Sequence, residues 1–318
     1  MSFIELSKKM STLTLQLVSL IPCVPNDFKI RNYPLDKKKM VSDAKNLTGI
    51  LYNTSPNLSI PANQNRVMCF NIRYRTVEDD NANNWGNRLP IILRLINDYN
   101  PDIICIQEGL PTQICDLNKG LSLLGLNYKC IGRERSNNWF DPDEMNPIFY
   151  KSNLKLISHK TIGLNNKRKI GLSIEDTLPR IVTYGKFRTK DNRELIVFNT
   201  HLEHFDYIVR NIQAEILKNI IIEIINNQSI ETIITGDLNS GPASTPVNII
   251  KDIDSNIIHS NITKNTFHNF GTRATILDHM FYIPNKETMS IINSDVISMY
   301  KDSHEIYPSD HRPLYIDI

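Results

Sequence analysis

Two short segments carry most of the chain's chemical options. Thr235-Gly236-Asp237-Leu238-Asn239-Ser240 and, about seventy residues on, Ser309-Asp310-His311-Arg312-Pro313 place carboxylates, an amide and an imidazole beside apolar runs. Asn71, Glu108, His201 and Asp278 stand at the ends of further apolar runs. Together these residues are the inventory for metal-assisted attack of water on a phosphorus centre. Glu108, helped by Asn71 and Asp310, offers oxygen ligands suited to a hard cation such as Mg²⁺, with Mn²⁺ as a substitute. The chain has no H-E-x-x-H helix and no paired cysteines to hold zinc. His311, if Asp278 holds one of its ring nitrogens, makes a general base, because an imidazole titrates near neutrality. Such a base is worth about 10²- to 10⁴-fold in rate. His201 and Asn239 can donate to the charge that develops on the phosphoryl oxygens, and Arg180 can clamp one of them.

These side chains need a frame that brings distant segments to one end. From Arg66 onward short apolar runs alternate with helical segments, the pattern of a layered α/β domain. Val67 to Asn71 reads as a first strand. A helix is expected from about Arg88 to Tyr99, with Leu89, Leu93 and Ile96 on one face, ended by Asn100-Pro101. Ile103 to Ile106 is apolar on both faces, as in a strand sandwiched between layers, and runs into Gln107-Glu108. Leu195 to Leu202 and Thr232 to Asp237 read as further central strands, with an amphipathic helix from about Tyr207 to Asn226 between them. Thr245-Pro246 marks a helix start, and Ile276 to Tyr282 and Leu314 to Ile318 are the last strands. In open sheets ligands bind at the carboxyl ends of strands, so these polar residues are expected to converge on one crevice. The period of a strand puts Asp237 and Asn239 on the same side, provided the backbone stays extended there.

A chain of 318 residues can bury one large core or at most two ordinary ones. Residues 1–65 have a different texture, with Lys37-Lys38-Lys39, several prolines and no sustained apolar period, and read as a partly ordered N-terminal extension; 66–318 is the catalytic domain. A formal charge of +2, from 36 basic and 34 acidic residues, gives no global field that announces a nucleic-acid or membrane partner. The phosphoester substrate, RNA or DNA among the options, must be recognised locally, and no obligate protein partner is implied. The five cysteines are scattered and odd in number, which points to a reducing, cytoplasmic setting. The stretch Thr12 to Val24 is too short to span a bilayer. Asn46, Asn53 and Asn57 open N-x-[ST] triplets that chance explains in so Asn-rich a chain. Trp85, Trp139, Phe267 and His268 are aromatic candidates to border the substrate.

The ordered series Phe70-Asn71, Gln107-Glu108, Asn199-Thr200-His201-Leu202, Gly236-Asp237-Leu238-Asn239-Ser240, Leu277-Asp278-His279 and Ser309-Asp310-His311-Arg312-Pro313 resembles the endonuclease/exonuclease/phosphatase superfamily, the deoxyribonuclease I-like hydrolases. The resemblance covers about residues 66–318 and is nearest to the nocturnin-like and bacterial metal-dependent branches. It implies a four-layered α/β/β/α sandwich of two mixed sheets flanked by helices. It also implies that Asn71 and Glu108 bind metal with Asp310 in the shell, and that Asp237 and Asn239 orient nucleophile and phosphate. Asp278 and His311 are then the acid-base pair and His201 steadies the phosphate. Glu144 matches a carboxylate that supports this histidine, and Arg180 a phosphate-contacting arginine. The implied activity is phosphodiester or nuclease hydrolysis by Mg²⁺-activated water and an Asp-His base. The alternative is a phosphomonoesterase acting on a nucleotide, sugar or lipid headgroup. A catalytically silent binding protein on this fold is disfavoured, because Glu108, Asp237, Asp278 and His311 are all present.

Overall fold

The structure, a computed structural model, describes residues 64–76, 83–137, 143–189, 191–226, 230–285, 293–297 and 306–318. The N-terminal extension up to residue 63, with its Lys37 to Lys39 run and the triplets at Asn46, Asn53 and Asn57, lies outside them. So does Trp139.

Two βαβ units organise the rest. β1 (Arg66–Asn71) leads through α1 (Trp85–Tyr99) to β2 (Ile103–Gln107), which pairs parallel to β1. β7 (Glu194–His201) leads through α3 (Tyr207–Ile225) to β8 (Glu231–Asp237), again parallel. Each unit sits in its own six-stranded mixed sheet. The first sheet adds α2 (Pro111–Leu123), β3 (Tyr128–Ile131), β4 (Ile148–Lys151), β11 (Asn293–Val296) and β12 (Leu314–Asp317), in the order β11-β12-β1-β2-β4-β3. The second adds β5 (Lys155–Gly163), β6 (Ile181–Arg188), α4 (Thr245–Lys251), β9 (Ile258–His259) and β10 (Asp278–Ile283), in the order β5-β6-β7-β8-β10-β9.

The strand period of two sorts the core into three layers. On β1, Met68 and Phe70 pack under α1 and α2, whereas Val67 and Cys69 face the other sheet. On β7, Leu195 and Val197 face the first sheet, and Ile196 and Phe198 pack under α3 and α4. The result is the expected α/β/β/α sandwich. The same parity carries Asn71, Gln107, Asn199, His201, Asp237 and Asp278 onto the face between the sheets, where the apolar core turns polar at one end. Its floor is a buried amide ladder. Gln107 donates to the Asn199 carbonyl, and Asn199 Nδ2 donates to Ile106 O at 2.8 Å and Pro147 O at 2.9 Å, stitching the sheets together.

Local chemistry sets the helix ends. Asn84 caps α1 with its side chain and Asn100 closes it in the left-handed conformation, so α1 starts three residues before the expected Arg88 and contains Pro90. Asp206 caps α3 through the N–H groups of Ile208 and Val209. Among the described residues no helix is long and apolar enough to cross a membrane.

One glycine is required where β8 meets β7. Gly236 has φ 152°, and a Cβ there would lie 2.0 Å from Thr200 O. Gly236→Ala is expected to destabilise the domain by about 3 kcal/mol or more, since backbone on a central strand cannot yield. Gly241→Ala, whose added carbon meets nothing within 4 Å, is the matched control. Thermal midpoints of the two variants test this, and equal midpoints would contradict it.

Candidate active site

The carboxyl ends of β1, β2, β7 and β8 and the amino-terminal end of β10 meet at one edge of the sandwich. Backbone register does most of the positioning: Asp237 is paired with Asp278 across β8 and β10, and with His201 across β7 and β8. His311 Nδ1 lies 2.7 Å from Asp278 Oδ2. Its Nε2 faces inward, 3.6 Å from Asp237 Oδ2 and 3.5 Å from Asn71 Nδ2. The Phe267 ring packs against the imidazole with centroids 4.8 Å apart. Thr266 Oγ1 accepts the N–H groups of Leu277 and Asp278, fixing the start of β10.

Asn71 Nδ2 donates to Glu108 Oε1 at 2.9 Å and to Asp237 Oδ2 at 3.0 Å, and its Oδ1 accepts from Arg73 N. Glu108 Oε2 accepts from Tyr74 N at 3.1 Å. Glu108, Arg73 and Asn239 all have positive φ, the left-handed region that non-glycine residues adopt at a cost and that clusters at functional sites. At Asn239 this overturns the expected extended backbone. β8 ends at Asp237, and a turn follows in which Asp237 Oδ1 accepts Asn239 N at 2.8 Å. The turn still brings Asn239 Nδ2 to 3.0 Å from His201 Nε2 and to 3.0 Å from Leu202 O. A carbonyl only accepts, so Asn239 presents N–H here and His201 Nε2 is the acceptor. The proton of a neutral His201 therefore sits on Nδ1, which has no hydrogen-bond partner among the described residues and lies 3.9 Å from Glu144 Oε2.

Glu144 is held by Arg135, whose Nη1 and Nη2 meet its two oxygens at 3.0 and 2.9 Å. Arg180 is buried; its Nη2 lies 3.0 Å from His204 Nδ1 and its Nε 3.7 Å from Glu203 Oε2. Asp310 receives Ser309 Oγ at 3.2 Å and faces Arg73 Nε at 3.9 Å. Sequence reasoning passed over Arg135, Arg73, Glu203 and His204. The last two were legible as a charged pair directly after the His201 strand end; Arg135 gave no signal beyond its spacing to Glu144.

Arg88 was likewise passed over. Its fully buried guanidinium donates to Ile72 O at 2.6 Å, Arg73 O at 3.1 Å, Pro308 O at 3.2 Å and, through Nε, Asn83 O at 2.7 Å. It thereby ties the loop after Asn71 to the loop before Asp310-His311. Ser309 Oγ adds a second tie, 2.7 Å from Asn71 O. Of the aromatic candidates, Trp85 is core, with Nε1 bonded to Asp116, and His268 is buried with its ring nitrogen accepting Gly271 N. Phe267 alone of the three reaches the site.

The electrostatics follow from crowding. Burial, then the Asp278 charge, pushes Asp237 up to about 7, with Glu108 adding to it. Burial also raises Asp310 and Glu144, and Glu108 adds to both. Burial pulls His311 down, but the Asp278 and Asp237 carboxylates outweigh it and hold the imidazole up to about 10. His201 is driven well below its usual value by burial and by Arg180 and Arg135. The donor set suits a divalent cation. Ligand atoms of Glu108, His201 and Asp237 lie within 4.8 Å of one another, as do those of Asp237, Asp278 and His311, and Asp310 stands outside both groups. Buried carboxylates in excess of nearby cations are the environment in which a hard metal ion binds.

The model of the Endonuclease/Exonuclease/phosphatase family matches residues 68–311, and the chain belongs to that family. Its members are hydrolases acting on phosphoester bonds. The chain is similar to Protein angel of Drosophila melanogaster, 26% identical over 189 residues, 54% of this chain and 49% of that protein. It thus spans about half the length of the curated relative it matches. Among solved structures it is similar to a mannosyl-6-phosphatase of Bacteroides thetaiotaomicron, with TM-score 0.70 and 24% identity over 79% of this chain and 98% of that one. The human Nocturnin catalytic domain with bound sulfate gives TM-score 0.61 and 23% identity over 80% and 93% of the two chains. The bacterial and nocturnin-like likeness expected from the motifs is therefore found in the fold.

The His311 environment predicts a pH dependence. Its folded-state pKa lies above that of an unfolded imidazole, so the cation-free native state holds an extra proton between about 6.5 and about 10. The stability this supplies is full below that window and is lost as pH rises through it. Asp237, raised to about 7, acts with the same sign. The melting temperature in EDTA should fall from pH 7 to pH 8, and excess Mg²⁺ should reduce that fall by neutralising the same carboxylates. A flat profile in EDTA would contradict the assignment.

Proposed function

We propose that the protein is a Mg²⁺-dependent phosphodiester hydrolase acting on nucleotide-linked esters, RNA or DNA among them. The observation that carries this reading is how the site spends its positive charge. Arg135 is bidentate on Glu144, Arg180 faces Glu203, and His201 is held neutral. Among the described residues, Glu108, Asp237, Asp278 and Asp310 then face only His311 and Arg73, so a bound divalent ion brings the site near neutrality with no surplus cation to match the second charge of a dianionic monoester, and a monoanionic diester meets less repulsion.

Glu108, with Asp237 of the same cluster, would hold Mg²⁺, or Mn²⁺ in its place; Asn71 would join them once its amide turns its Oδ1 from Arg73 N toward the carboxylates, and Asp310 would add its charge from outside the cluster. When bound, the ion supplies positive charge to the phosphoryl oxygens as they become more negative. His311 Nε2 faces the interior of the cluster and takes the proton of the attacking water, while Asp278 fixes the ring through Nδ1. That role needs the neutral imidazole, so the carboxylates that raise His311 must first be compensated. Asp237 and Asn239 orient water and phosphate from the turn after β8. Asn239 would supply an N–H to a phosphoryl oxygen once the substrate takes the place of its bond to His201 Nε2. His201 supplies one only when protonated at Nε2, a state that Glu144 at 3.9 Å would steady. Arg180 contributes its charge from behind His204.

A phosphomonoesterase is the second reading, favoured by one observation: a solved structure of similar fold is named a mannosyl-6-phosphatase.

A substrate panel with Mg²⁺ or Mn²⁺ decides between them: single-stranded RNA, DNA, a generic phosphodiester, phosphomonoesters and sphingomyelin. Diesters are expected to turn over faster than monoesters; the reverse order selects the second reading. On the preferred substrate, His311→Ala and Glu108→Gln should each cost about 10²- to 10⁴-fold in kcat with circular dichroism unchanged. Wild-type turnover by either variant would overturn the mechanism.

A further inference from the structure

The loop 202–206 between β7 and α3 combines a pinned backbone with an unburied aromatic ring. The Glu203 carboxylate accepts the N–H groups of both His204 and Phe205 at 2.9 Å. Gln213 accepts Glu203 N at 2.8 Å, and Arg210 Nη1 donates to the carbonyls of Glu203 at 2.8 Å and His204 at 3.0 Å. Yet Phe205 is 85% exposed, and Tyr207 and Ile208 beside it are 66% and 53% exposed. A loop fixed from three sides gains no folding energy by holding a phenyl ring in water; such a ring contributes only if something covers it.

His204 defines what that is. Its Nδ1 lies 3.0 Å from Arg180 Nη2, and a guanidinium only donates; with Nδ1 accepting that bond the ring proton sits on Nε2. Burial and the Arg180 charge both lower its pKa, which keeps the ring neutral. Glu203 Oε1 lies 3.1 Å from the same Nδ1 and pairs with Arg180 through its other oxygen. The His204 side chain is 39% exposed and its ring packs on Phe205, with centroids 4.1 Å apart at 47°. Arg180, bonded to His204, also acts through its charge on His201 and Glu144. The charges of Glu108 and Arg135 act on His204, and that of His204 on His201, so a ring N–H and an open aromatic face stand side by side next to the carboxylate cluster.

We propose that His204 and Phe205 form a subsite for the nucleoside esterified to the scissile phosphate, in which the base stacks on Phe205 and His204 Nε2–H donates to a sugar oxygen. The inference rests on the phosphodiester reading and names its substrate class. A planar base is the occupant that uses both features: stacking on a single aromatic ring tolerates any base, whereas a lipid headgroup has no plane to stack and a bare sugar phosphate would use the His204 donor alone.

The test measures binding as well as turnover. Calorimetry with Mg²⁺ compares adenosine 5′-monophosphate with ribose 5-phosphate, which differ by the base. The wild-type protein should bind the nucleotide about tenfold more tightly, and Phe205→Ala should bring that ratio close to one. His204→Ala should weaken both ligands relative to inorganic phosphate. In turnover, Phe205→Ala should raise KM for the p-nitrophenyl ester of thymidine 5′-phosphate more than for methyl p-nitrophenyl phosphate. A wild-type ratio near one, or a ratio unchanged in Phe205→Ala, overturns the subsite. If no ester is cleaved and the ratio still collapses in Phe205→Ala, the hydrolase reading fails and the subsite stands.

Discussion

The structure depends on the confinement of like charge at one end of the sandwich. Asp237, Asp278 and Asp310 are buried there, Glu108 is half-buried beside them, and the positive partners beside them are His311, against Asp237 and Asp278, and Arg73, against Asp310. Carboxylates this close cannot all ionise without compensation. The raised Asp237 and Asp310 and the strongly raised His311 are three expressions of that one excess. The fold tolerates it because backbone register sets the positions: Asp237 and Asp278 are cross-strand partners whatever their charge. A divalent cation relieves the same excess, so cation affinity and the availability of His311 as a base are two sides of one balance.

What lets the sheets carry this load is the repetition of one unit. Each sheet centres on a parallel pair linked by a helix, and the two pairs face each other with their carboxyl ends together. Between them the strand parity that buries Cys69, Cys105 and Val197 continues into Asn71, Gln107 and Asn199 without a break. The amide ladder from Gln107 to Asn199 satisfies the first polar layer, so the charged layer above rests on groups whose bonds are complete. Arg88 and Ser309 then tie the loop from β1 to the segment leading into β12, which is itself bridged at His311 to Phe267.

Much of this was legible in the sequence because it is written in central strands. A buried strand in such a fold is a short apolar run, and a polar residue at its end has few roles besides a site, which is why Asn71, Glu108, His201, Asp237 and Asp278 stood out. Elements whose identity comes from tertiary pairing were silent. α2 begins at Pro111 with no acidic or side-chain cap, and the half-exposed β5 alternates too weakly to separate from a loop. The turn at Asn239 was hidden for a different reason: G-D-x-N-S is compatible with both an extended strand end and a left-handed turn, and only the Asp237 carboxylate waiting for Asn239 N decides. Trp85 misled because an indole near Asn and Arg has the composition of a binding edge, whereas its partner, Asp116, lies on α2.

Substrate choice belongs to a different physical level from reaction type. The carboxylates, His311 and Asn239 sit on strand ends and the turns tied to them, and their chemistry is set by burial and register. On the proposed reading, the groups that would decide which ester enters sit on loops: Arg135 beside Glu144, Arg180 behind His204, and the exposed Phe205. Their effect is through charge bookkeeping at the rim. An arginine bound to a carboxylate adds little field at the phosphate, so replacing either acidic partner would release a cation toward the site and shift the preference toward more negative esters. In the proposed mechanism it is then the loop pairs, and not the sheet, that would set how much negative charge a bound phosphate can carry.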